Sequence, residues 1–344
     1  MQLNSTNLVF VLSLIIGSIM SISASSWFGV WMGLEINLLS FIPLIMSKPN
    51  VLSTDSSIKY FIIQALASST LLLFITLNHF PLFPTSFINQ ALSSAILLKM
   101  GAGPFFFWFP EVMEGLSWLN SFTLLTWQKL APFMVISYCL SLTTFSMIII
   151  ILSITSGALG GLNQTSTRKI MAFSSINHMG WMLMAISLSD SLWMIYFMIY
   201  SIINLILIWS FYFFNLNMIS QLFNYGAHYN LVKLLIMINL LSLGGLPPFM
   251  GFFPKWMILQ SMLQLNLMIL SMVMLIMSII TVFFYLRLAF SSFLISSSTS
   301  SFMMASNPAT PLHSKWEMSL TVYFTLTMSI MGLSLTSWSI YLYL

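Results

Sequence analysis

From Leu3 onward the chain keeps one rhythm: an apolar run of about 20 residues, a short polar connection, then another run. Inside a bilayer only helices satisfy their backbone polar groups within a single segment, so this rhythm constrains the chain to a bundle of spanning helices. The runs lie near 3–22, 25–46, 58–79, 85–104, 121–143, 146–163, 170–188, 192–214, 233–262, 266–290 and 319–342. They predict an all-α polytopic membrane protein of about 11 transmembrane helices, with residues 1–344 forming a single transmembrane domain. The first run has no basic leader or cleavage site around it and is expected to stay as a spanning helix. Connections 47–57, 105–120, 215–232 and the serine-rich 291–318 are read as loops. Charge agrees with this reading. Ten Lys/Arg and six Asp/Glu in 344 residues cannot cover a water-exposed surface of that size.

Alternating the runs sorts the remaining charges. Lys48, Lys59, Arg168, Lys169, Lys233, Arg287 and Lys315 fall on the side of the N-terminus, while the opposite connections carry only Asp190 and His79. The positive-inside rule then turns the N-terminus to the cytoplasm-equivalent side, the matrix if the membrane is mitochondrial, and the C-terminus to the other. Abundant methionine and serine beside sparse arginine and alanine fit an AT-rich organelle genome.

One stretch departs from the rhythm. Lys99 to Glu111 is almost wholly apolar yet holds a lysine, two glycines and two prolines. Prolines remove helix hydrogen bonds and glycines loosen the backbone. A lysine near the membrane centre costs roughly 2.5–3.5 kcal/mol. Such a break is tolerated at depth only where it lines a buried or watery cavity. The stretch has an echo: Gly101–Pro110 spells G-x-x-P-F-x-x-x-F-P, and Gly245–Pro254 spells it again, with Lys255 next. The copies lie five runs apart, and an odd offset reverses direction. They therefore predict an inverted repeat of five-helix halves, approximately 1–143 and 146–290, each with a discontinuous helix and with 319–342 left outside.

Four ions have no loop to sit in: Glu35, Lys99, Lys129 and Lys255. Glu35 lies roughly 12 Å into the second run at 1.5 Å per residue. Lys129, at similar depth, precedes Pro132, which has no N–H to give the carbonyl of Gln128. Together the four cost roughly 10–14 kcal/mol on insertion scales. The structural alternatives are a lysine snorkelling to the interface, strongest for Lys99, and a static Glu–Lys pair locking helices. Proton relays need such groups outright. Desolvation disfavours an ammonium and a nearby carboxylate favours it, so a lysine with a movable acidic partner binds its proton switchably. Glu35 is the acid placed to modulate Lys99. His178, midway along its run among polar residues, is either a hydrogen-bonded core residue or a relay between lysines.

Other chemistries lack their residues. His79, His228 and His313 fall in loops without a second ligand at metal spacing, so no metal is expected. The lone cysteine, Cys139, sits in an apolar run and reads as core. The chain has no phosphate-binding Gly-x-x-x-x-Gly-Lys loop, and a scattered net charge of +4 does not suggest nucleic acid.

Taken in order, the Lys99–Glu111 stretch, Trp127–Pro132 (Trp-Gln-Lys-Leu-Ala-Pro), Lys169–Gly180 and Gly245–Trp256 resemble the antiporter-like membrane subunits of respiratory complex I, NADH:ubiquinone oxidoreductase. The resemblance covers essentially the whole chain, and its composition is similar to that of arthropod members. It implies two inverted five-helix units, each with a discontinuous helix. It assigns Glu35 as the modulating glutamate, Lys99 as its paired lysine, Lys129 as the central-axis lysine, Lys255 as the lysine of the second broken helix, and His178 as a bridging position. The implied function is proton translocation across the inner mitochondrial membrane. NADH oxidation and ubiquinone reduction would occur in other subunits, so the chain would be an enzyme only as part of that translocase. No cofactor is implied in this chain; NADH, FMN, iron–sulfur clusters and ubiquinone belong to partners. Those partners would be other membrane-arm subunits, antiporter-like neighbours among them, supernumerary subunits, and phospholipids such as cardiolipin. The chain lacks three helices that bacterial relatives carry before the repeat, which leaves a flank for partners to cover. Two other readings stay open: an independent cation/proton antiporter, and a structural membrane spacer without its own proton path.

Overall fold

The computed structural model describes residues 5–47, 50–78, 80, 84–224, 230–247 and 249–299. Lys48, His79, His228, His313, Lys315 and the run 319–342 lie outside them. The described helices are α1 Ser5–Ser23, α2 Trp27–Ile45, α3 Val51–Leu77, α4 Thr85–Met100, α5 Trp108–Gly115, α6 Trp118–Leu125, α7 Trp127–Ser137, α8 Thr144–Gly160, α9 Thr167–Leu188, α10 Asp190–Phe213, α11 Ile219–Asn224, α12 Asn230–Gly244, α13 Phe252–Gln264 and α14 Met268–Thr299. No strand occurs among the described residues. Helices α1, α2, α3, α10 and the Met268–Phe290 part of α14 are long and apolar enough to cross a membrane.

Several boundaries differ from the sequence expectation, each for a local reason. Helix α3 begins at Val51, because Asn50 and Ser53 form a capping box that the polar first turn conceals. Lys59 therefore lies inside a helix rather than at its end. The connection 105–120 is helical over most of its length, as α5 and the start of α6. Pro110 is the third residue of α5, where its missing N–H has no partner to lose. The expected run 121–143 is interrupted at Thr126, whose hydroxyl donates to the carbonyl of Phe122 at 2.7 Å, and α7 starts afresh at Trp127. Within 215–232 a short α11 forms and α12 begins. Helix α14 continues to Thr299 through serines, which disfavour a helix only slightly, by less than about 0.7 kcal/mol each.

The chain packs as two compact units, residues 1–156 with 175–190, and residues 157–174 with 191–344. In the first unit small residues set the helix contacts, as expected where lipid gives apolar side chains no reason to hide. A side chain at Gly33 of α2 would strike the backbone of Ser21 and Gly17 on α1. One at Gly115 would strike Leu52 and Ser56 of α3, and one at Gly103 the backbone of Leu152 and Ser153 on α8. The buried part of α9 meets α8 at Gly180 in the same way, against Ile154 and Ser153. The outer face of α1 leaves Val9, Leu12, Ile16 and Ile19 exposed, as a lipid-facing stripe requires.

In the second unit α14 packs on α11 and α12. The segment before α9 is fixed to the one before α11. Thr167 donates its hydroxyl to the carbonyl of Leu216 at 2.8 Å, and the amide of Ile219 donates to the carbonyl of Thr165 at 3.1 Å.

Candidate functional site

A helix that stops inside the apolar region must find donors for its last carbonyls. Helix α4 does so at Gly101, which takes the left-handed conformation (φ 74°). The amides of Gly101 and Ala102 turn back to the carbonyl of Leu97, at 3.0 and 3.1 Å. Trp108 Nε1 donates to the carbonyl of Leu98 at 3.3 Å, and Gln64 Nε2, from α3, donates to that of Lys99 at 2.9 Å. With its own carbonyl taken by Gln64, the Lys99 side chain is free to point elsewhere. It is 7% exposed, and its Nζ has no hydrogen-bond partner among the described residues.

Lys99 borders a small cavity of ≈ 20 Å³, enough for about one water molecule. Lys99 and Lys129 both line it, and Asn37, Tyr60, Gln64 and Gln128 supply its other polar groups. Asn37 Oδ1 and Gln128 Nε2 are buried without a hydrogen bond among the described residues, so acceptor and donor atoms stand ready on the same walls. Lys129 is 2% exposed, and its ammonium lies over the ring of Phe109 at 5.1 Å from the centroid. Lys129 sits in the first turn of α7, just after the interruption at Thr126.

Glu35, on α2, is not among the side chains lining this cavity. No ion pair within 4.0 Å joins it to Lys99 among the described residues, where Lys59–Glu111 at 2.6 Å is the pair that forms. One oxygen of Glu35 is buried without a hydrogen bond among the described residues. His178 is buried on α9 at 5% exposure but is not among the side chains lining the cavity. The structure thus brings together Lys99 and Lys129 and leaves both Glu35 and His178 outside the lining of that cavity. Among the described residues no group of three or more His, Cys, Asp or Glu is placed to hold a metal ion.

Lys255 belongs to the second unit, where the other break repeats the first in backbone. Gly245 is left-handed (φ 82°), and the amides of Gly245 and Leu246 return to the carbonyl of Leu241 at 3.1 and 3.4 Å. Helix α13 restarts at Phe252 with Pro254 third, in the register of Trp108 and Pro110. Here the lysine itself is the cap. Lys255 Nζ, at 5% exposure, donates to the carbonyl of Gly244 at 2.7 Å.

Gln64, Asn37, Tyr60 and Phe109 escaped the sequence reading. A carboxamide such as Gln64 within the apolar run Phe61–Ala67 was a visible signal, because polar side chains in spanning helices tend to bond across helices. Nothing in the sequence pointed Phe109 at Lys129.

The family model described as NADH:quinone oxidoreductase/Mrp antiporter, TM, matches residues 24–281. The chain is 50% identical to NADH-ubiquinone oxidoreductase chain 2 of Anopheles gambiae, over 88% of this chain and 90% of that protein. It is 46% identical to the chain 2 protein of Aedes aegypti, over 95% and 96%. Among solved structures, a chain of respiratory complex I from Thermus thermophilus superposes with a TM-score of 0.81 at 20% identity, covering 96% of this chain and 78% of that one. A chain of the Mrp complex from a Dietzia species gives 0.68 at 16% identity, covering 88% and 61%. These last two share the fold.

Proposed function

Because the chain belongs to the NADH:quinone oxidoreductase/Mrp antiporter family, we propose that it is a proton-translocating membrane-arm subunit of respiratory complex I. It works as one part of an NADH:ubiquinone reductase of the inner mitochondrial membrane, and the redox cofactors are carried by other subunits. The observation that carries the reading is the cavity shared by Lys99 and Lys129.

The chemistry follows from its walls. An ammonium without a hydrogen bond in a desolvated site holds its proton weakly, and an approaching carboxylate strengthens that hold. Movement of Glu35 toward Lys99 loads the site, and withdrawal releases it. The proton leaves Lys99 Nζ for a water in the cavity, and a water proton passes to neutral Lys129 Nζ, so one charge moves and no bond beyond N–H and O–H changes. Asn37 Oδ1 and Gln128 Nε2 orient that water. Titrations of groups this close are coupled, so Lys99 and Lys129 act as one unit.

Lys255 and His178 extend the path, on the family resemblance and the echoed breaks. The same echo supports an inverted repeat, and the sorting of the basic residues supports an N-terminus toward the matrix and a C-terminus in the intermembrane space. Partners are the neighbouring membrane-arm subunits and membrane phospholipids. Replacing Lys129 by Ala in the assembled complex tests the reading, with protons moved per electron measured in sealed vesicles. The expected result is a reduced ratio with the complex intact. A full ratio would remove Lys129 from the path and favour a structural spacer.

A further inference from the structure

The cavity shared by Lys99 and Lys129 has a wall that transfer through water alone does not use. Of the described side chains lining it, Tyr60 is the one with a hydroxyl. A carboxamide donates and accepts hydrogen bonds but keeps its protons, whereas a phenol can also give its proton up. Asn37, Gln64 and Gln128 are therefore solvating groups, and Tyr60 is a group able to carry the proton itself.

Its place in the wall is fixed from both sides. Tyr60 is 3% exposed on α3, one helical turn before Gln64 and on the same face. Gln64 donates to the carbonyl of Lys99 at 2.9 Å, so this face of α3 meets the end of α4. The Tyr60 ring packs edge-on against Phe41, with centroids 5.2 Å apart, and tilted against Trp108 at 6.0 Å. Trp108 packs edge-on against Phe109 at 5.4 Å, and the Lys129 ammonium lies over the Phe109 ring. Contacts from Tyr60 thus lead to Lys99 in one direction and to Lys129 in the other.

We propose that Tyr60 is a further catalytic residue, a phenol that relays the proton from Lys99 to Lys129; this rests on the proton path proposed above. With room for about one water, the cavity offers little solvation to a hydronium or hydroxide ion. A phenol and an alkylammonium ordinarily release their protons at about pH 10 and about pH 10.4, so exchange between them costs little. The phenol O–H bond breaks as its proton goes to neutral Lys129 Nζ, where an N–H bond forms. The phenolate oxygen then takes a proton from Lys99 Nζ through the cavity water, and Tyr60 ends as it began. One proton has moved from Lys99 to Lys129. The phenolate formed on the way shares its cavity with two ammonium groups, which favour an anion.

The test compares variants of the assembled complex in sealed vesicles, reading protons moved per electron, with Lys129→Ala as the reference. Tyr60→Phe keeps the ring and its packing on Phe41 and Trp108 and removes only the hydroxyl. A general acid–base group contributes about 10²–10⁴-fold to a proton transfer. Tyr60→Phe should therefore bring the ratio down to that of Lys129→Ala, with the melting temperature kept. Tyr60→His, whose imidazole also accepts and gives a proton, should restore part of the loss. Tyr60→Gln, polar but without a transferable proton, should not. Restoration by Tyr60→Gln as good as that by Tyr60→His overturns the inference, because a polar wall would then suffice. A full ratio in Tyr60→Phe beside a loss in Lys129→Ala also overturns it and leaves the path standing, whereas full ratios in both remove the path itself.

Discussion

At the first break the carbonyl of Lys99 is taken by Gln64 and the Lys99 ammonium makes no hydrogen bond among the described residues, whereas at the second the Lys255 ammonium itself donates to the carbonyl of Gly244. The backbones around the two are alike, with a left-handed glycine, paired amides returning four and five residues, and a restart carrying proline third. The echo is one of backbone, not of charge. Lys99 precedes its glycine by two residues, while Lys255 follows its own by ten; the position matching Lys255 is Glu111, half exposed and paired with Lys59. One lysine is thus left open to a cavity and the other is built into a helix end.

The largest test of this difference is Gly245→Ala against Gly101→Ala. Left-handed strain costs each about 1–2 kcal/mol. At 245 the added carbon would also lie 2.8 Å from Lys255 Cδ and 3.0 Å from its Nζ, whereas at 101 its nearest neighbours, in Phe109 and Trp108, are at 3.2 Å. Losing the charged hydrogen bond adds about 1.5–3 kcal/mol at 245. Thermal denaturation of the assembled complex should show the greater loss for Gly245→Ala, and equal losses would break the comparison. Next comes Lys255→Met, which strands the Gly244 carbonyl at about 1–3 kcal/mol. Lys99→Met instead deletes a buried charge without a hydrogen bond and should leave the melting temperature unchanged or higher. Both should lower protons moved per electron, so a destabilised Lys99→Met would contradict the open lysine. Gln64→Leu should cost about 1 kcal/mol by freeing the Lys99 carbonyl, and reduce pumping because the cavity loses a polar wall. The smallest effect belongs to Lys59→Ala. Its pair with Glu111 is half exposed on both sides, and a stability change above about 1 kcal/mol would mean the strap from α3 to α5 matters more than surface pairs usually do.

The helical class, the breaks and the deep ions were legible in the sequence because apolar runs, Gly–Pro punctuation and stray lysines each leave a strong local signal. The helices within the connections were not. Glycine and proline mark both turns and helix starts, so Phe105–Pro110 looked like loop until Pro110 proved to sit in a first turn. Thr126 carries no breaker signal, since its interruption depends on a hydroxyl bonding back to Phe122. The cavity was half visible: Lys99 and Lys129 announced themselves, but their shared wall depends on α2, α3 and α5 meeting from distant parts of the chain. Glu35 and Lys99 form no ion pair among the described residues, which only the assembled geometry could show.

The bond from Lys255 to Gly244 gives a proton mechanical meaning. A cation at the C-terminal end of a helix is worth about 0.3–1 kcal/mol against its dipole, and a neutral amine forfeits that attraction. On the proton path proposed above, a loss of the Lys255 proton would slacken the latch between α12 and α13, and its recapture would fasten it again. Occupancy at that nitrogen would then be written directly into how tightly the two helix ends are tied.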